Sequence, residues 1–225
     1  MTQEQSKPLK QVLRRVVPDS LIRERQIVLR LSPGAGPIYA RLRLLDSLGI
    51  RSQNSNDIPA GAQSFLFVCF GNIMRSPMAE LMFRQATEKA GLAHVSATSA
   101  GLHAIPGSQA HPWALEASTE IGLSLKSHQS QELSKELVSQ SDVIFAMDFQ
   151  NKAELLALYP EAREKILMLS AYANGAARNR EISDPYSGDV EATRRCYALI
   201  QACIQNLTAR LVTLSSKSTS VAQTT

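Results

Sequence analysis

The sequence predicts an α/β fold in which a four-stranded parallel sheet is flanked by helices on both faces. Four short segments have the length and composition of strands, and the first of them is a continuous apolar run typical of a strand buried on both faces. Segments with helical periodicity lie between them, and this alternation favours parallel strands with right-handed crossovers. With 44% hydrophobic and 20% charged residues, the chain of 225 residues can form a buried core.

The four predicted strands are short. The first, at 65–69, reads Phe-Leu-Phe-Val-Cys, and the others lie at 95–100, 143–147 and 166–169. Ligands of such sheets bind beyond the carboxyl ends of the strands. The residues from Cys69 onward are therefore the first place to look for a functional site.

The predicted helices have clear start and stop signals. Ser76 is a suitable N-cap and Pro77 a suitable first residue for a helix that runs to Gly91. Three shorter helices are expected at 113–121, from Ser134 and at 152–159. The last helix begins near Asp189 and has apolar residues at steps of three, four or seven, namely Val190, Tyr197, Ile200, Ile204, Leu207 and Leu211.

Composition divides the chain into four parts. Residues 1–49 form a basic, mainly helical extension, in which a helix ends at Gly49. Residues 50–63 are polar and turn-rich and are typical of a linker. Residues 64–213 form the α/β domain, and the Ser/Thr-rich residues 214–225 are predicted to be a disordered tail.

The net charge of +4 is unevenly distributed, because residues 1–62 carry +5 and residues 63–225 carry −1. The basic extension either packs on the domain as a solvated addition or meets an anionic membrane surface or an acidic partner. Nucleic acid is disfavoured because Tyr39 is the only aromatic residue there. Removal of residues 1–62 is expected to leave catalysis nearly unchanged, because the candidate catalytic residues all lie beyond them.

Composition also excludes several classes of protein. No apolar run approaches the roughly 18 residues of a membrane span, and the first residues lack the apolar stretch of a secretory signal. Three cysteines are too few and too scattered for a disulfide scaffold. The sequence also contains no CxxC or HxxxH pair of the kind that binds a metal ion. We therefore expect a cytoplasmic protein without a metal or cofactor.

A phosphate-binding loop is predicted between the first strand and the helix after it. Cys69 ends the strand, and the loop consists of Phe70, Gly71, Asn72, Ile73 and Met74. The N–H groups of such a loop and of a helix N-terminus can converge on a tetrahedral dianion. Arg75 can form a bidentate hydrogen bond to two phosphate oxygens. The same field stabilises a thiolate at Cys69, and Ser76 can donate a hydrogen bond to that sulfur.

A second feature is the sequence Asp184-Pro185-Tyr186. The residue before a proline avoids helix, so Asp184 is expected on an extended or turn-like loop. Cleavage of a phosphate ester by a thiolate needs an acid for the departing oxygen, and Asp184 is suited to that role. Tyr186 can stack against an aromatic substrate.

Together these motifs resemble the low-molecular-weight protein tyrosine phosphatases, in particular their bacterial branch. The resemblance spans about 64–213. Further matches are Ser99-Ala100-Gly101, Ser127-His128, Met147-Asp148 and Tyr159-Pro160-Glu161. It implies a cysteine-dependent, metal-independent phosphatase that hydrolyses phosphotyrosine and small aryl phosphates. Tyrosine autokinases that control exopolysaccharide export are among the partners that it implies.

The resemblance also implies a role for each site residue. Cys69 would be the nucleophile that forms a phosphocysteine, Arg75 the phosphate clamp and Asp184 the general acid. Asn72 and Ser99 would brace the loop. The sequence departs from the family at three positions: Met74 stands where many relatives have a second cysteine, Ile105 stands where some have an aromatic wall, and Ser130 replaces an arginine.

Three other functions stay open. A thiol-dependent arsenate reductase needs resolving cysteines, but the chain has none between 70 and 195, and Cys196 and Cys203 are expected in a helix core away from the loop. A non-catalytic phosphotyrosine-binding module would be expected to lack one of the three catalytic residues. A cysteine protease needs a partner histidine. Surface positions are expected for all four histidines, His94, His103, His111 and His128.

Overall fold

The computed structural model describes residue 24 and residues 27–50, 58–178 and 180–222. Four parallel strands form one sheet in the order β2-β1-β3-β4. The strands are β1 (Ser64–Cys69), β2 (Ser96–Gly101), β3 (Val143–Ala146) and β4 (Ile166–Met168). The predicted four-stranded parallel sheet is confirmed, and every strand end lies within one residue of its predicted position.

Helices cover both faces of this sheet. They are α1 (Ala35–Ser47), α2 (Arg75–Lys89), α3 (Pro112–Glu120), α4 (Lys135–Gln140), α5 (Phe149–Leu158) and α6 (Val190–Ala222). Because side chains alternate along a strand, Phe65 and Phe67 of β1 pack towards α2, α3 and α6, while Leu66 and Val68 pack towards α1, α4 and α5. The two cores are thus separated by one sheet, as expected for strands buried on both faces.

Three helix boundaries differ from the prediction. Helix α2 begins at Arg75, so Ser76 is not its N-cap. Helix α5 begins at Phe149 rather than 152, because the Asp148 carboxylate accepts a hydrogen bond from the Asn151 N–H at 2.7 Å and caps this end. Residues 214–222 continue helix α6, in contrast to the disordered tail predicted there.

The continuation of α6 has a local physical cause. Leu214 still packs against the core, so the apolar stripe extends beyond residue 213. Serine hydroxyls often disfavour a helix because they compete for backbone hydrogen bonds. Here the Ser215 hydroxyl donates to the Leu211 carbonyl, one turn earlier in the same helix, at 3.0 Å. Residues 223–225 lie outside the described residues.

The described part of the N-terminal extension packs on the domain through α1. Ala35 and Tyr39 are buried against the core that includes α5. Gly49 has φ 67° and follows the end of this helix, as its predicted role requires. Residues 1–23 and most of the predicted linker, 51–57, lie outside the described residues.

Gly101, the last residue of β2, lies directly against the loop that follows β1. A Cβ atom at this position would lie 2.8 Å from the Asn72 nitrogen and 2.9 Å from the Gly71 carbonyl carbon. These are backbone atoms that cannot move aside independently. The structure therefore uses the absence of a side chain at Gly101 to bring the loop close to the sheet.

Gly101→Ala should therefore destabilise the protein. Overpacking of this kind lowers the free energy of unfolding by about 1–3 kcal/mol, which chemical denaturation measures. Gly36→Ala is the matched control, since a Cβ atom there meets nothing within 4 Å. Equal stability of the two variants would contradict the close approach of β2 to the loop.

Candidate active site

The loop after β1 is held in shape by Asn72. Its φ of 53° lies in the left-handed region, which among non-glycine residues asparagine tolerates best. The buried Asn72 side chain donates from Nδ2 to the hydroxyls of Ser76 and Ser99, both at 2.9 Å, and accepts at Oδ1 from the Gln131 N–H at 2.9 Å. Ser99 in turn donates to Glu80 at 2.7 Å. These bonds connect the loop with α2, β2 and the segment that follows α3.

Two hydrogen-bonding groups meet the buried sulfur of Cys69. The Ser76 hydroxyl oxygen lies 3.0 Å from Sγ, and the backbone N–H of Asn72 donates to Sγ at 3.2 Å. The Asn72 N–H favours negative charge on the sulfur, and the Ser76 hydroxyl does the same when its proton points to Sγ rather than to the Ala100 carbonyl, 3.3 Å away. The start of α2 at Arg75 brings the Ser76 hydroxyl to the sulfur, which explains why Ser76 does not serve as the N-cap.

The guanidinium of Arg75 is buried at 1% exposure and joins three segments. Nη1 lies 2.5 Å from Asp148 Oδ2 and donates to the Ile182 carbonyl at 3.0 Å, while Nη2 lies 2.8 Å from Asp184 Oδ2. Burial alone would lower the pKa of Arg75, but the negative charges of Asp148, Asp184 and Cys69 outweigh it and raise the pKa. Arg75 is therefore a permanent cation in this site.

One donor of Arg75 has no partner. Its Nε is buried and makes no hydrogen bond to any protein atom in the described part of the chain. A buried N–H normally has a partner, because an unsatisfied donor costs about 1–3 kcal/mol. A bound oxyanion would satisfy this donor.

Asp184 lies on a loop, as its position before a proline predicts. Its carboxylate is 41% exposed and accepts a hydrogen bond from the Tyr186 N–H at 3.2 Å at the start of the turn Pro185–Ser187. Through Arg75 it joins the same charge cluster as Cys69. The fold thus brings together three predicted residues from two distant parts of the chain.

Aromatic rings surround the loop. Tyr186 is 59% exposed, and its ring meets His111 edge-on at 5.5 Å between centroids. His111 also lies 4.7 Å from Trp113, and Phe70 stacks on His103 at 4.5 Å. These rings, of Phe70, His103, His111, Trp113 and Tyr186, form a rim around the loop that is suited to a flat apolar group.

The remaining loop residues are placed as follows. Gly71 and Ile73 are partly buried, and the Ile73 carbonyl accepts from the His111 N–H at 3.0 Å. Met74 is buried, and its carbonyl accepts from the Tyr197 hydroxyl at 3.2 Å. Helix α6 therefore supports the loop from below.

The family departures at Ile105 and Ser130 lie next to each other. Ile105 is strongly exposed, and the buried Ser130 hydroxyl donates to its carbonyl at 2.6 Å. Ser130 also accepts from the Ser108 N–H at 3.0 Å. Ser130 therefore fixes the turn that carries Ile105, a role that the sequence does not reveal.

The prediction that all the histidines are surface residues is incomplete. His128 Nε2 lies 2.7 Å from the Asn72 carbonyl oxygen, and His103 Nε2 lies 2.7 Å from Glu154 Oε2. With His111, three of the four histidines touch the loop or its rim. Their partners are remote in sequence, so no local pattern indicates these contacts.

The two cysteines of α6 are buried, as predicted. Burial raises the pKa of Cys196 to about 12, although the charge of Arg75 opposes it, and burial likewise raises the pKa of Cys203 to about 12. Cys196 lies close enough to the site for Cys69 and Asp184 to influence it. Cys196 belongs to the same buried core cluster as Cys69, and its position away from the loop stays a prediction.

Two kinds of feature are absent from the described residues. No three His, Cys, Asp or Glu side chains among them form a group that could hold a metal ion. No helix in the described ranges is long and apolar enough to cross a membrane.

Comparisons with known proteins agree with this geometry. The chain is 33% identical over 146 residues to a protein-arginine-phosphatase of Bacillus subtilis, covering 65% of this chain and 95% of that protein. It is 34% identical over 139 residues to the probable low molecular weight protein-tyrosine-phosphatase EpsP of Ralstonia nicotianae, covering 62% and 89%.

A solved structure is similar over the same region. The tyrosine phosphatase Wzb from Escherichia coli K30, in complex with sulphate, matches with a TM-score of 0.60 and 28% identity, covering 67% of this chain and 99% of that one. The family model for low molecular weight phosphotyrosine protein phosphatase matches residues 64–217, more than half of the chain. The chain therefore belongs to the low molecular weight phosphotyrosine protein phosphatase family, whose members are cysteine-dependent hydrolases.

Proposed function

We propose that this protein hydrolyses phosphotyrosine in proteins through a phosphocysteine intermediate. The observation that carries this proposal is the shared charge cluster of Cys69, Arg75 and Asp184. The unpartnered Nε of Arg75 supports an oxyanion site at the same place. The sulphate complex of the related Wzb shows that a tetrahedral dianion binds to that relative.

In the first step, the Cys69 thiolate attacks phosphorus in line with the tyrosine oxygen. An S–P bond forms, the P–O bond to tyrosine breaks, and Asp184 gives its proton to the departing phenolate oxygen. Arg75 and the loop N–H groups bind the other phosphate oxygens, where negative charge is held in the transition state.

In the second step, water hydrolyses the phosphocysteine. The Asp184 carboxylate removes a proton from the water, whose oxygen attacks phosphorus, and the S–P bond breaks. Cys69 leaves as a thiolate that the Ser76 hydroxyl and the Asn72 N–H stabilise from 3.0 and 3.2 Å. The products are inorganic phosphate and the enzyme with Asp184 protonated, ready for the next cycle.

Phosphoarginine is the second candidate substrate, because one relative is a protein-arginine-phosphatase. Phosphoarginine presents a cationic guanidinium beside the phosphate, whereas phosphotyrosine presents a neutral ring. The rim consists of Tyr186 and Phe70 with the rings of His111 and His103, and the loop adds Ile73. This arrangement favours an aryl group.

The native chain should hydrolyse a phosphotyrosine peptide with a higher kcat/KM than the matching phosphoarginine peptide. Cys69→Ser should lose essentially all turnover of both, while Cys203→Ala, a buried cysteine outside the charge cluster, should retain it. Phosphate release from the two peptides measures this. A preference for phosphoarginine would overturn the substrate assignment, and an active Cys69→Ser variant would overturn the mechanism.

Asp184→Asn should lower kcat/KM, which reports the first step, far more for substrates with poor leaving groups than for those with good ones. General acid catalysis contributes about 10²–10⁴-fold, and a good leaving group hardly needs it. A series of aryl phosphates of graded phenol acidity gives the dependence. Asp189→Asn, which alters a carboxylate that caps α6, is the control. An equal loss across the series would remove Asp184 from the acid role.

For the physiological substrate, we propose a bacterial tyrosine autokinase, as the family resemblance implies.

We also propose a cytoplasmic protein whose extension touches an anionic membrane surface. Leu44 of α1 and Leu48, the residue that caps its C-terminus, are 58% and 62% exposed and continue one face with the exposed Arg41 and Pro37. No acidic side chain lies on this face of α1, and residues 1–62 carry +5. Apolar residues beside basic ones suit anionic lipid.

The full chain should therefore bind vesicles that contain phosphatidylglycerol but not neutral phosphatidylcholine vesicles, and added salt should weaken the binding. Leu44→Ser with Leu48→Ser should reduce it, while Ile121→Ser, an exposed apolar residue at the end of α3, should not. Sedimentation with vesicles is the measurement. No binding to anionic vesicles would overturn the proposed lipid surface.

A further inference from the structure

Helix α1 contacts the segment that carries Asp184, residues 181–187, here called the acid loop, through Arg43. Arg43 Nη1 lies 3.0 Å from Glu181 Oε2, and Nη2 lies 2.6 Å from Glu24 Oε1. The buried Tyr39 also donates to Glu24, at 2.7 Å, so Arg43 is held in place on both sides. Glu181 lies three residues before Asp184 and 138 residues after Arg43.

Glu181 links this contact to the catalytic charge cluster. Glu181 Oε1 accepts a hydrogen bond at 2.9 Å from the N–H of Phe149, the residue that follows Asp148 in the sequence. The next residue, Ile182, donates its N–H to the Met147 carbonyl at 2.8 Å and accepts from Arg75 at 3.0 Å. The segment from 181 to 184 has no regular secondary structure, so these few bonds fix its position.

The charge of Arg43 matters at this place. Burial raises the pKa of Glu181, the Phe149 N–H lowers it, the negative charge of Asp148 raises it, and Arg43 lowers it. Without Arg43, the largely buried Glu181 carboxylate would still be repelled by the charge of Asp148, and the Phe149 N–H would remain as its backbone donor. Protonation or displacement of Glu181 would then move the segment that ends in Asp184.

We propose that Arg43 is a positioning residue for the general acid, acting through Glu181. The proposal rests on the assigned role of Asp184. Because the family match begins at residue 64, Arg43 lies outside the catalytic domain proper, and the extension contributes to the site that the domain forms. This replaces the expectation that removal of residues 1–62 leaves catalysis nearly unchanged.

The test uses the full chain with Arg43→Gln, Glu181→Gln, the double variant and Arg43→Lys. Misplacement of a catalytic group by about 1 Å can cost up to 10²-fold. We therefore expect Arg43→Gln to lower kcat/KM, which reports the first step, on the order of tenfold for a poor aryl leaving group and little for a good one. Arg43→Lys should restore most of the loss, and the double variant should lose no more than the larger single loss.

Arg195→Gln is the matched control, because it breaks an exposed Arg–Glu pair on α6, 3.6 Å to Glu191, that includes neither Glu181 nor Asp184. Thermal unfolding accompanies every assay. If Arg43→Gln loses activity equally across leaving groups, or only loses stability, Arg43 is structural and the proposal is overturned. If Arg43→Gln does not fold, Glu181→Gln gives the same readout.

The outcome of Asp184→Asn separates two kinds of failure. A steep leaving-group effect in Asp184→Asn with none in Arg43→Gln would overturn the positioning role alone. An effect in neither variant would overturn the acid role on which it rests. Steep effects in both, with additive losses in the Arg43 and Glu181 double variant, would also reject the coupling through Glu181.

Discussion

The ion pairs of the buried Arg75 are the constraint on which the active site depends. A guanidinium removed from water is costly unless carboxylates and carbonyls satisfy it. Asp148 and Asp184 supply two charges, and the Ile182 carbonyl supplies a further acceptor. These groups come from the start of α5 and from the acid loop, so one side chain fixes two segments relative to the loop after β1.

The same constraint explains the local geometry of that loop. Helix α2 begins at Arg75, and this start brings the Arg75 guanidinium to Asp148 and Asp184 and the Ser76 hydroxyl to the sulfur of Cys69. Asn72 then accepts a left-handed backbone because its amide satisfies Ser76 and Ser99. The space for this turn exists only because Gly101 has no side chain.

The parts of the structure that depend on short stretches of sequence were predictable. The strand lengths, the loop of 69–76 and the loop position of Asp184 follow from apolar runs, helix-start signals and a proline. The long-range partners were not predictable, because no local pattern connects Arg75 with Asp148 or Asn72 with His128. The same holds for the pair of Arg43 and Glu181. The start of α5 and the helical residues 214–222 also depend on capping and core contacts that composition does not show.

Helix α1, in the described part of the extension, packs on the family domain as an added layer. Tyr39 and Ala35 bury one face of α1 against the core that contains α5, and Arg43 carries that contact to the acid loop. The opposite face keeps exposed leucines and basic charge. We propose that one helix has two roles, with a packed face that supports the site and an exposed face that meets anionic lipid.

The most direct test of the central claim is identification of the phosphorylated group during turnover. Asp184→Asn with an aryl phosphate of good leaving ability should pass the first step and stall at the second, because the base that activates water is missing. Acid quenching and mass spectrometry of the peptides should then show phosphate on the Cys69 sulfur. Release of phosphate with no phosphorylated Cys69 at any time point would contradict a thiolate nucleophile in this charge cluster.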